Sequence, residues 1–215
     1  MTEGPPPADS AVALRRCGDT AYLLDLPDNG AVHRWAAAVR QAVIPGVVEV
    51  IPGLTTLLVQ IDAEATNLLA LQHALHRVLP VDEGASTRGE HVIAVTYDGE
   101  DLDVVCSLTG LDRRGVVAAH TARAWQVAFC GFAPGFAYLV GGDPRLEVPR
   151  RDESRVRVPA GAVALAGPFS SIYPRASPGG WQLIGHTNAE LWNLAWEPPA
   201  LLSPGMTVRF VDIQS

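Results

Sequence analysis

Gly131-Phe132-Ala133-Pro134-Gly135-Phe136-Ala137-Tyr138-Leu139 opens the most distinctive stretch of this sequence, which runs from Cys130 to Thr187 and ends with Ser177-Pro178-Gly179-Gly180-Trp181 and Ile184-Gly185-His186-Thr187. Glycine, proline, aromatic residues and arginine recur here at positions where ordinary strands alternate polar and aliphatic side chains. Glycine and proline fix unusual backbone shapes, and such a backbone can hold rings and guanidinium groups around a ligand. The stretch therefore predicts a binding site for a small anion or amide.

The side chains that would contact this ligand are of three kinds. Aromatic rings would form apolar walls, arginines would bind a carboxylate or phosphate through paired hydrogen bonds, and glycine and proline would shape the loops. The predicted substrate-binding residues are Phe132, Pro134, Gly135, Phe136, Tyr138, Arg150, Arg155, Arg157, Gly179, Trp181 and His186. Two alternatives stay open: the rings could be ordinary core residues, and the arginines could form a solvated loop paired with Asp152 and Glu153.

The composition is that of a globular protein that buries a core. Of the 215 residues, 48% are hydrophobic and 18% are charged, and no apolar run reaches the ~20 residues of a membrane span. The formal net charge of −7 argues against a nucleic-acid-binding surface. Three separated cysteines, and a first segment with neither a basic start nor an apolar stretch, indicate neither disulfides nor secretion, so we expect a cytoplasmic protein.

The sequence of residues 11–85 predicts a small α+β domain. The proline-rich segment 1–10 precedes it, and we expect this segment to be disordered. Strands are predicted at 11–14, 20–24, 47–51 and 56–61. One amphipathic helix, capped by Asp28 or Asn29, follows the second strand, and another follows the fourth. This order predicts a split βαβ arrangement with both helices on one face of an antiparallel sheet.

The two helices have predicted buried faces that follow the helical spacing of their apolar residues. These faces consist of Val32, Trp35, Ala36, Val39 and Val43 in the first helix and of Leu68, Leu69, Leu71, Leu75 and Leu79 in the second.

Residues 86–215 predict a second, mostly β domain, because a polar segment around 80–90 separates it from the first. A strand at 91–97 could close the first sheet or open the second. Helices are predicted at 101–108 and 112–123, each with an aspartate near its start, and a strand follows at 125–129. Beyond this strand, short apolar segments bounded by glycine or proline indicate a sheet closed into a barrel.

The motifs of the distinctive stretch resemble those of the KipI/PxpB family, also called allophanate hydrolase subunit one. The matching motifs are Gly-Phe-x-Pro-Gly-Phe-x-Tyr-Leu at 131–139, Val-Pro-x-Gly at 158–161, Ile-Tyr-Pro at 172–174 and Ser-Pro-Gly-Gly-Trp at 177–181. Shorter matches, such as Gly18-Asp19 and Tyr97-Asp98-Gly99-Glu100, extend the resemblance over nearly the whole chain. It implies an α+β fold with a split-βαβ-like N-terminal domain and a cyclophilin-like β-barrel domain.

Members of this family typically act with a second, related subunit. The resemblance implies a subunit of an ATP-dependent hydrolase that opens an amide or lactam, of the 5-oxoprolinase type. Its partner would be a homologue of allophanate hydrolase subunit 2, which is the C subunit of 5-oxoprolinase. ATP would be bound together with that partner, because the sequence contains no lysine and no phosphate-binding loop. Some members instead resemble inhibitors of a sensor histidine kinase, so a regulatory binding protein is the alternative.

His120 is the leading titratable residue for catalysis. It follows four apolar residues on a predicted helix, so a partly buried hydrogen-bonding role is the alternative to general acid or base catalysis. Cys130 has no obvious neighbouring base or cation, which favours a buried thiol over a nucleophile. His73 and His76 have the spacing of a helical metal pair but lack a third ligand, so no metal site is predicted.

Three positions depart from the family pattern. The family has serine, glutamine and arginine where this sequence has Ala162, Phe169 and His186. Each change removes or alters a polar group, and the loss of one charge-assisted hydrogen bond to a ligand costs about 1.5–3 kcal/mol. We therefore expect weak 5-oxoprolinase activity even with the partner present.

Overall fold

The computed structural model describes residues 12–80 and 89–213. The chain divides into two compact units between Gly84 and Ala85, and each unit has its own apolar core. The segment 1–10, which is predicted to be disordered, lies outside the described residues.

The first unit contains one antiparallel sheet. Its strands are β1 (Ala13–Cys17), β2 (Ala21–Asp25), β3 (Val47–Pro52) and β4 (Thr56–Ile61). The sheet order is β1-β2-β4-β3. Because β2 and β3 both run antiparallel to the strand between them, they are parallel to each other, and the helix that joins them completes the predicted split βαβ unit.

Two helices, α1 (Asn29–Gln41) and α2 (Leu68–Leu75), pack against this sheet. The side chains of Asp28 and Asn67 cap them, each accepting a hydrogen bond from the N–H three residues later, at 2.7 and 3.0 Å. Buried residues of both helices share one core with inward side chains of β2 and β4. Both helices therefore cover the same face, as predicted.

Three predicted core positions of this unit are wrong. Val43, Leu69 and Leu79 are 80%, 61% and 75% exposed. The helix α1 ends before Val43 and α2 ends before Leu79, so neither residue lies on the helix whose buried face it was predicted to join. Leu69 precedes the buried Leu71 by two residues, about 200° around a helix of 3.6 residues per turn, and therefore faces away from the core.

The second unit is built on a seven-stranded sheet. Its strands are β5 (Glu90–Val95), β6 (Trp125–Cys130), β7 (Ala137–Val140), β9 (Ala162–Ala166), β10 (Phe169–Ile172), β12 (Gln182–His186) and β13 (Thr207–Asp212). A separate antiparallel pair is formed by β8 (Arg155–Val158) and β11 (Ser177–Gly179). The sheet order is β12-β9-β10-β7-β6-β13-β5, in which β5 and β13 are parallel.

The two ends of this sheet meet at a seam, so the sheet is nearly closed into a barrel. Thr96, which follows β5, exchanges two backbone hydrogen bonds with His186 at the end of β12, at 2.9 and 2.8 Å. The strand predicted at 91–97 therefore belongs to the second sheet. The predicted α+β fold with a barrel-like second part is confirmed.

Helices α3 (Leu102–Thr109) and α4 (Arg113–Ala122) contribute to the barrel core, and a 3-10 helix spans Pro144–Leu146. Asp112 caps α4 by accepting the Gly115 N–H at 2.7 Å. No helix among the described residues is long and apolar enough to cross a membrane.

Strand β9 is buried on both faces and separates two apolar clusters. Val163 and Leu165 belong to the barrel core, whereas Ala162, Ala164 and Ala166 belong to a second cluster that is rich in aromatic rings. The small alanine side chains leave the space that these rings occupy in a close-packed interior.

His120 lies in the barrel core and is completely buried. One ring nitrogen is 2.7 Å from the Tyr97 hydroxyl, the other is 2.9 Å from the Ser170 hydroxyl, and the ring stacks on Phe210. The Trp125 indole N–H donates to the backbone carbonyl of His120 at 3.0 Å. Burial lowers the pKa of His120 to about 3, so the imidazole is neutral at pH 7.

We expect Leu75→Ala to lower the free energy of unfolding by about 2–5 kcal/mol, because it leaves a cavity in the core of the first unit. Leu69→Ala is the matched control on the same helix, and its exposed side chain predicts a change within about 0.5 kcal/mol. Urea unfolding followed by circular dichroism measures both. Equal losses in the two variants would contradict the buried face assigned to α2.

We also expect the second unit to lose stability as the pH falls from 7 towards 3. The unfolded chain protonates His120 near the ordinary pKa of 6.5, whereas the folded chain keeps it neutral down to a pKa of about 3. The stabilisation is therefore present above pH 6.5 and is lost progressively below it. Urea unfolding of the wild type and His120→Gln at pH 7 and pH 5 measures it. The variant should lose less stability between these two pH values, and an equal loss would count against the buried neutral imidazole.

Candidate functional site

Aromatic rings form a cluster on the alanine face of β9, and we call it the ring cluster. Phe136, Tyr138, Phe169, Tyr173 and Trp181 contact one another mostly edge to face, with ring centroids 5.1–6.5 Å apart. Such pairs contribute about 0.5–1.5 kcal/mol each beyond their burial. The ring cluster is thus a rigid base, and it brings together three of the predicted aromatic residues, Phe136, Tyr138 and Trp181.

Phe132 lies at the exposed edge of the ring cluster. It is 60% exposed, and its ring meets that of Phe136 edge to face at 5.1 Å between centroids. Its backbone has a φ of 65°, a conformation that costs a non-glycine residue about 1–3 kcal/mol. An apolar ring held at the surface by a strained turn is suited to contact a ligand or a partner protein.

Two of the predicted glycines are required by the geometry of their surroundings. Gly135 has a φ of 80°, and a β-carbon there would lie 2.9 Å from Cβ of Trp192. A β-carbon at Gly179 would collide with the Tyr173 hydroxyl, so this glycine allows β11 to approach the ring cluster. Pro134 is exposed in the turn before Gly135.

A buried carboxylate, Asp101, fixes residues 150–157, which we call the arginine segment. Its Oδ1 accepts hydrogen bonds from Arg151 and Arg155, and its Oδ2 accepts the Leu183 N–H, all at 2.7 Å. Burial alone would raise the pKa of Asp101, but the hydrogen bonds from Arg155 and Leu183 and the two positive charges hold it below its usual value. The carboxylate is therefore ionised at neutral pH and joins three segments of the chain.

The three predicted arginines have different surroundings. Arg155 is mostly buried and pairs with Asp101 at 2.7 Å and with Glu100 at 3.3 Å. Arg150 and Arg157 are exposed, and neither forms an ion pair within residues 12–80 and 89–213. The acidic partners of the arginine segment are thus remote in sequence, unlike the neighbouring acidic residues that a solvated loop would use.

Arg150 lies beside the ring cluster. Its guanidinium is 3.4 Å from the position that a β-carbon on Gly180 would occupy. Burial raises the pKa of the Tyr138 and Tyr173 phenols, and the charge of Arg150 acts on both in the opposite direction. A cation next to two phenols can bind a carboxylate or phosphate through charge-assisted hydrogen bonds.

Three buried polar atoms of the stretch 130–187 have no hydrogen-bond partner in the described part of the chain. They are Nη1 of Arg155, Oγ of Ser177 and Oε1 of Gln182, and no other buried side-chain nitrogen or oxygen among the described residues is unpaired. Because folded proteins pair nearly all such atoms, unpaired ones mark strain or a site that another molecule completes. All three belong to the stretch 130–187.

His186 lies at the barrel seam. Its Nδ1 is 2.8 Å from Oδ1 of Asp98, and its cross-strand partner on β9 is Ala162. Two of the three departures from the family pattern thus lie opposite each other on neighbouring strands. The third, Phe169, belongs to the ring cluster, so the departures alter both the seam and the rings.

The structure separates His120 from the other predicted site residues. Its side-chain partners, Tyr97 and Ser170, belong neither to the ring cluster nor to the arginine segment. His120 is fully buried and makes two hydrogen bonds. These are the features of a hydrogen-bonding core histidine, which the sequence left open as the alternative to a catalytic residue. The candidate site does not include it.

Sequence reasoning missed Asp101, Tyr173 and Gln182 as members of the site. In sequence, Asp101 resembles a helix cap, yet its side chain makes no capping hydrogen bond to α3. Its partners in the arginine segment lie 50 and 54 residues away, so no local signal reveals them. Within the described part of the chain, no three His, Cys, Asp or Glu side chains group as a metal site would require.

Comparison with known proteins gives relatives that cover nearly the whole chain. Residues 12–202 match the family described as "Carboxyltransferase domain, subdomain C and D". The B subunit of 5-oxoprolinase from Escherichia coli O157:H7 is 40% identical over 202 residues, which cover 90% of this chain and 93% of that protein. The B subunit of 5-oxoprolinase from Bacillus subtilis is 33% identical over 232 residues, with coverages of 93% and 92%.

A solved structure shows the same fold within a longer protein. The crystal structure of TTHA0988 matches with a TM-score of 0.80 at 33% identity, and the match covers 92% of this chain but 40% of that one. The family match and the two bacterial relatives confirm the family predicted from the sequence motifs. This chain therefore belongs to the KipI/PxpB family, whose members carry the carboxyltransferase domain with subdomains C and D.

Proposed function

We propose that this chain is a subunit of an ATP-dependent hydrolase of the 5-oxoprolinase type, which opens a lactam together with a homologue of allophanate hydrolase subunit 2. The two bacterial relatives, both named as B subunits of 5-oxoprolinase, match at least 90% of this chain and 92% of their own lengths. Such coverage supports a subunit of the same kind, rather than a shared domain in an unrelated protein.

One observation carries this proposal: Arg150, which lies beside the ring cluster, keeps its charge available. Arg151 and Arg155 share the carboxylate of Asp101, whereas Arg150 is exposed and has no ion pair within the described residues. The substrate 5-oxoproline has a carboxylate next to a lactam ring. Arg150 would bind this carboxylate through paired hydrogen bonds.

The chemistry requires a positioned substrate more than a reactive side chain. A lactam carbonyl is a poor electrophile, and ATP supplies the phosphoryl group that activates it. In this chain, Arg150 would orient the substrate and the ring cluster would exclude water from one side. The arginine segment keeps its place through Asp101 and through the Arg151 N–H, which donates to the Gly180 carbonyl at 2.8 Å.

We assign nucleotide binding to the partner protein or to its junction with this chain. The sequence has no lysine and no glycine-rich phosphate loop. The exposed ring of Phe132 is the part of the site best suited to contact that partner, because a backbone with a φ of 65° holds it at the edge of the ring cluster.

We expect the complex of this chain with the subunit 2 homologue to hydrolyse ATP in the presence of 5-oxoproline, and Arg150→Ala to lower kcat/KM about ten- to a hundredfold. The reason is the loss of a charge-assisted hydrogen bond, worth about 1.5–3 kcal/mol. A coupled ATP-hydrolysis assay with and without 5-oxoproline measures the rates. Arg114→Ala is the matched control, since this arginine is also exposed and without an ion pair in the described residues, and it lies on α4.

Two results would overturn the proposed function. The first is separate elution of the two proteins in size-exclusion chromatography together with no ATP hydrolysis that depends on 5-oxoproline. The second is equal activity of the wild type and Arg150→Ala. Inhibition of a sensor histidine kinase by the chain alone would favour the regulatory alternative.

The departures from the family pattern predict a slow enzyme that can be improved. We expect Phe169→Gln combined with His186→Arg to raise the 5-oxoproline-dependent rate, because the pair restores an amide and a permanent charge. Phe169→Gln alone should lower the melting temperature, since it removes a half-buried ring that contacts Tyr138 and Trp181. Initial rates and thermal melts of both single variants and the double variant test this. Fast wild-type turnover that the double change leaves unaltered would show that these positions do not set the rate.

A further inference from the structure

Residues 191–201 form a loop that folds back on itself, and we call it the 191–201 loop. Its two sides meet through an antiparallel bridge between Trp192 and Ala200. At its base, Leu191 is 3% exposed and the following Leu202 is 2% exposed, and both belong to the barrel core. The loop is therefore anchored at both ends.

Asn193 fixes the turn at the tip of the 191–201 loop. Its backbone carbonyl accepts the Trp196 N–H at 3.1 Å, and its side chain accepts the Ala195 N–H at 2.8 Å. The same side chain donates to Glu190 at 3.0 Å. This turn holds Leu194 at the surface, where it is 83% exposed. Because the turn is ordered in the free chain, binding through Leu194 costs little further loop ordering.

The 191–201 loop contacts the turn that holds Phe132. A β-carbon at Gly135 would lie 2.9 Å from Cβ of Trp192, so the two loops touch there. Gly135 directly precedes Phe136 of the ring cluster, and Phe132 is 60% exposed. Two exposed apolar side chains, Phe132 and Leu194, thus belong to adjoining loops beside the ring cluster.

The proposed reaction decides which molecule covers this edge. Activation of the lactam requires the ATP phosphate to come within bonding distance of the substrate, so the protein that holds ATP must contact the rim of the candidate site. The buried core of an interface is apolar and poor in charge. On this rim, the arginine segment carries four arginines, one aspartate and one glutamate, whereas Phe132 and Leu194 offer apolar contacts.

The charges beside Leu194 indicate what kind of surface fits it. Glu190 and Glu197 are exposed, and residues 187–202 contain no arginine or lysine. Two carboxylates next to an exposed leucine favour a protein surface in which basic residues surround an apolar pocket. They disfavour an anionic membrane surface, which attracts basic segments instead.

We propose that the 191–201 loop is a docking element for the subunit 2 homologue, with Leu194 in an apolar pocket of that protein and Glu197 facing a basic residue at the rim of the pocket. The inference rests on the proposed function and deepens it, because it names the surface through which the partner reaches the ring cluster. The loop lies outside the sequence motifs that mark the family.

Leu194→Asp tests the apolar contact. We expect it to keep the melting temperature of the wild type, because the side chain is 83% exposed, and to bind the subunit 2 homologue at least tenfold more weakly, because it places an unpaired charge in the contact. Leu69→Asp is the matched control, since it introduces the same charge at a 61% exposed leucine of α2, and it should keep the wild-type affinity. Isothermal titration calorimetry with the two purified proteins measures the affinities.

Glu197→Arg tests the rim of the contact. We expect it to slow association with the subunit 2 homologue, most strongly at low salt, because attraction to a basic rim becomes repulsion. Glu64→Arg, at an exposed glutamate of the first unit, gives the same net charge and should leave the association rate unchanged. Surface plasmon resonance at two salt concentrations measures the rates.

Hydrogen–deuterium exchange tests the surface on the wild type, so it does not depend on how the variants fold. Peptides that span residues 191–201 should exchange more slowly in the complex than in the free chain. Unchanged exchange there would overturn the inference, and so would wild-type affinity of a folded Leu194→Asp variant. A chain that forms a dimer alone, which Leu194→Asp dissociates, would assign the loop to a second copy and overturn it as well.

Failure of the proposed function is distinguishable. A complex that hydrolyses ATP with 5-oxoproline, yet binds Leu194→Asp as tightly as the wild type, refutes only the docking surface. A complex that requires Leu194 but shows no such hydrolysis refutes only the proposed enzyme. Two proteins that do not associate refute both.

Discussion

One buried ion pair network holds the functional side of the second unit in place. Asp101 binds two arginines and one backbone N–H, and thereby joins the start of α3, the arginine segment and β12. Breaking a buried pair by removing one partner typically costs about 3–5 kcal/mol, because the remaining charge stays in a poor environment. The position of Arg150 depends on this carboxylate through the neighbouring Arg151, although Asp101 itself has little contact with solvent.

The second unit contains two kinds of buried polar group. In the barrel core, both ring nitrogens of His120 are paired, with Tyr97 and Ser170, and such satisfied networks make an interior rigid. In and near the arginine segment, Nη1 of Arg155, Oγ of Ser177 and Oε1 of Gln182 have no hydrogen-bond partner among the described residues. The pairing of buried polar atoms therefore distinguishes the structural His120 from the binding region. Residue type alone would not, since histidine is the side chain most often used in acid–base catalysis.

Local patterns predicted the elements because caps and apolar spacing act within a few residues. Asp28 begins α1, and the alternating strands of the first sheet bury one face, as their sequences indicate. The exposed position of Leu79 could not be predicted, because it depends on where α2 ends. The exposure of Leu69 follows from helical spacing, which places it about 200° from the buried Leu71. Asp101 and its partners, and the burial of Gln182, arise from contacts between distant segments, which no spacing records.

Strand β9 has a consequence for how the second unit tolerates change. Its alanines fill one side and its larger residues, Val163 and Leu165, fill the other. A slip of one residue in pairing register would exchange the two sides. Valine and leucine would then overfill the space next to the rings, and alanines would leave voids in the barrel core. The alternation of small and large residues along five positions thus excludes any alignment of β9 with its neighbours that is shifted by one residue.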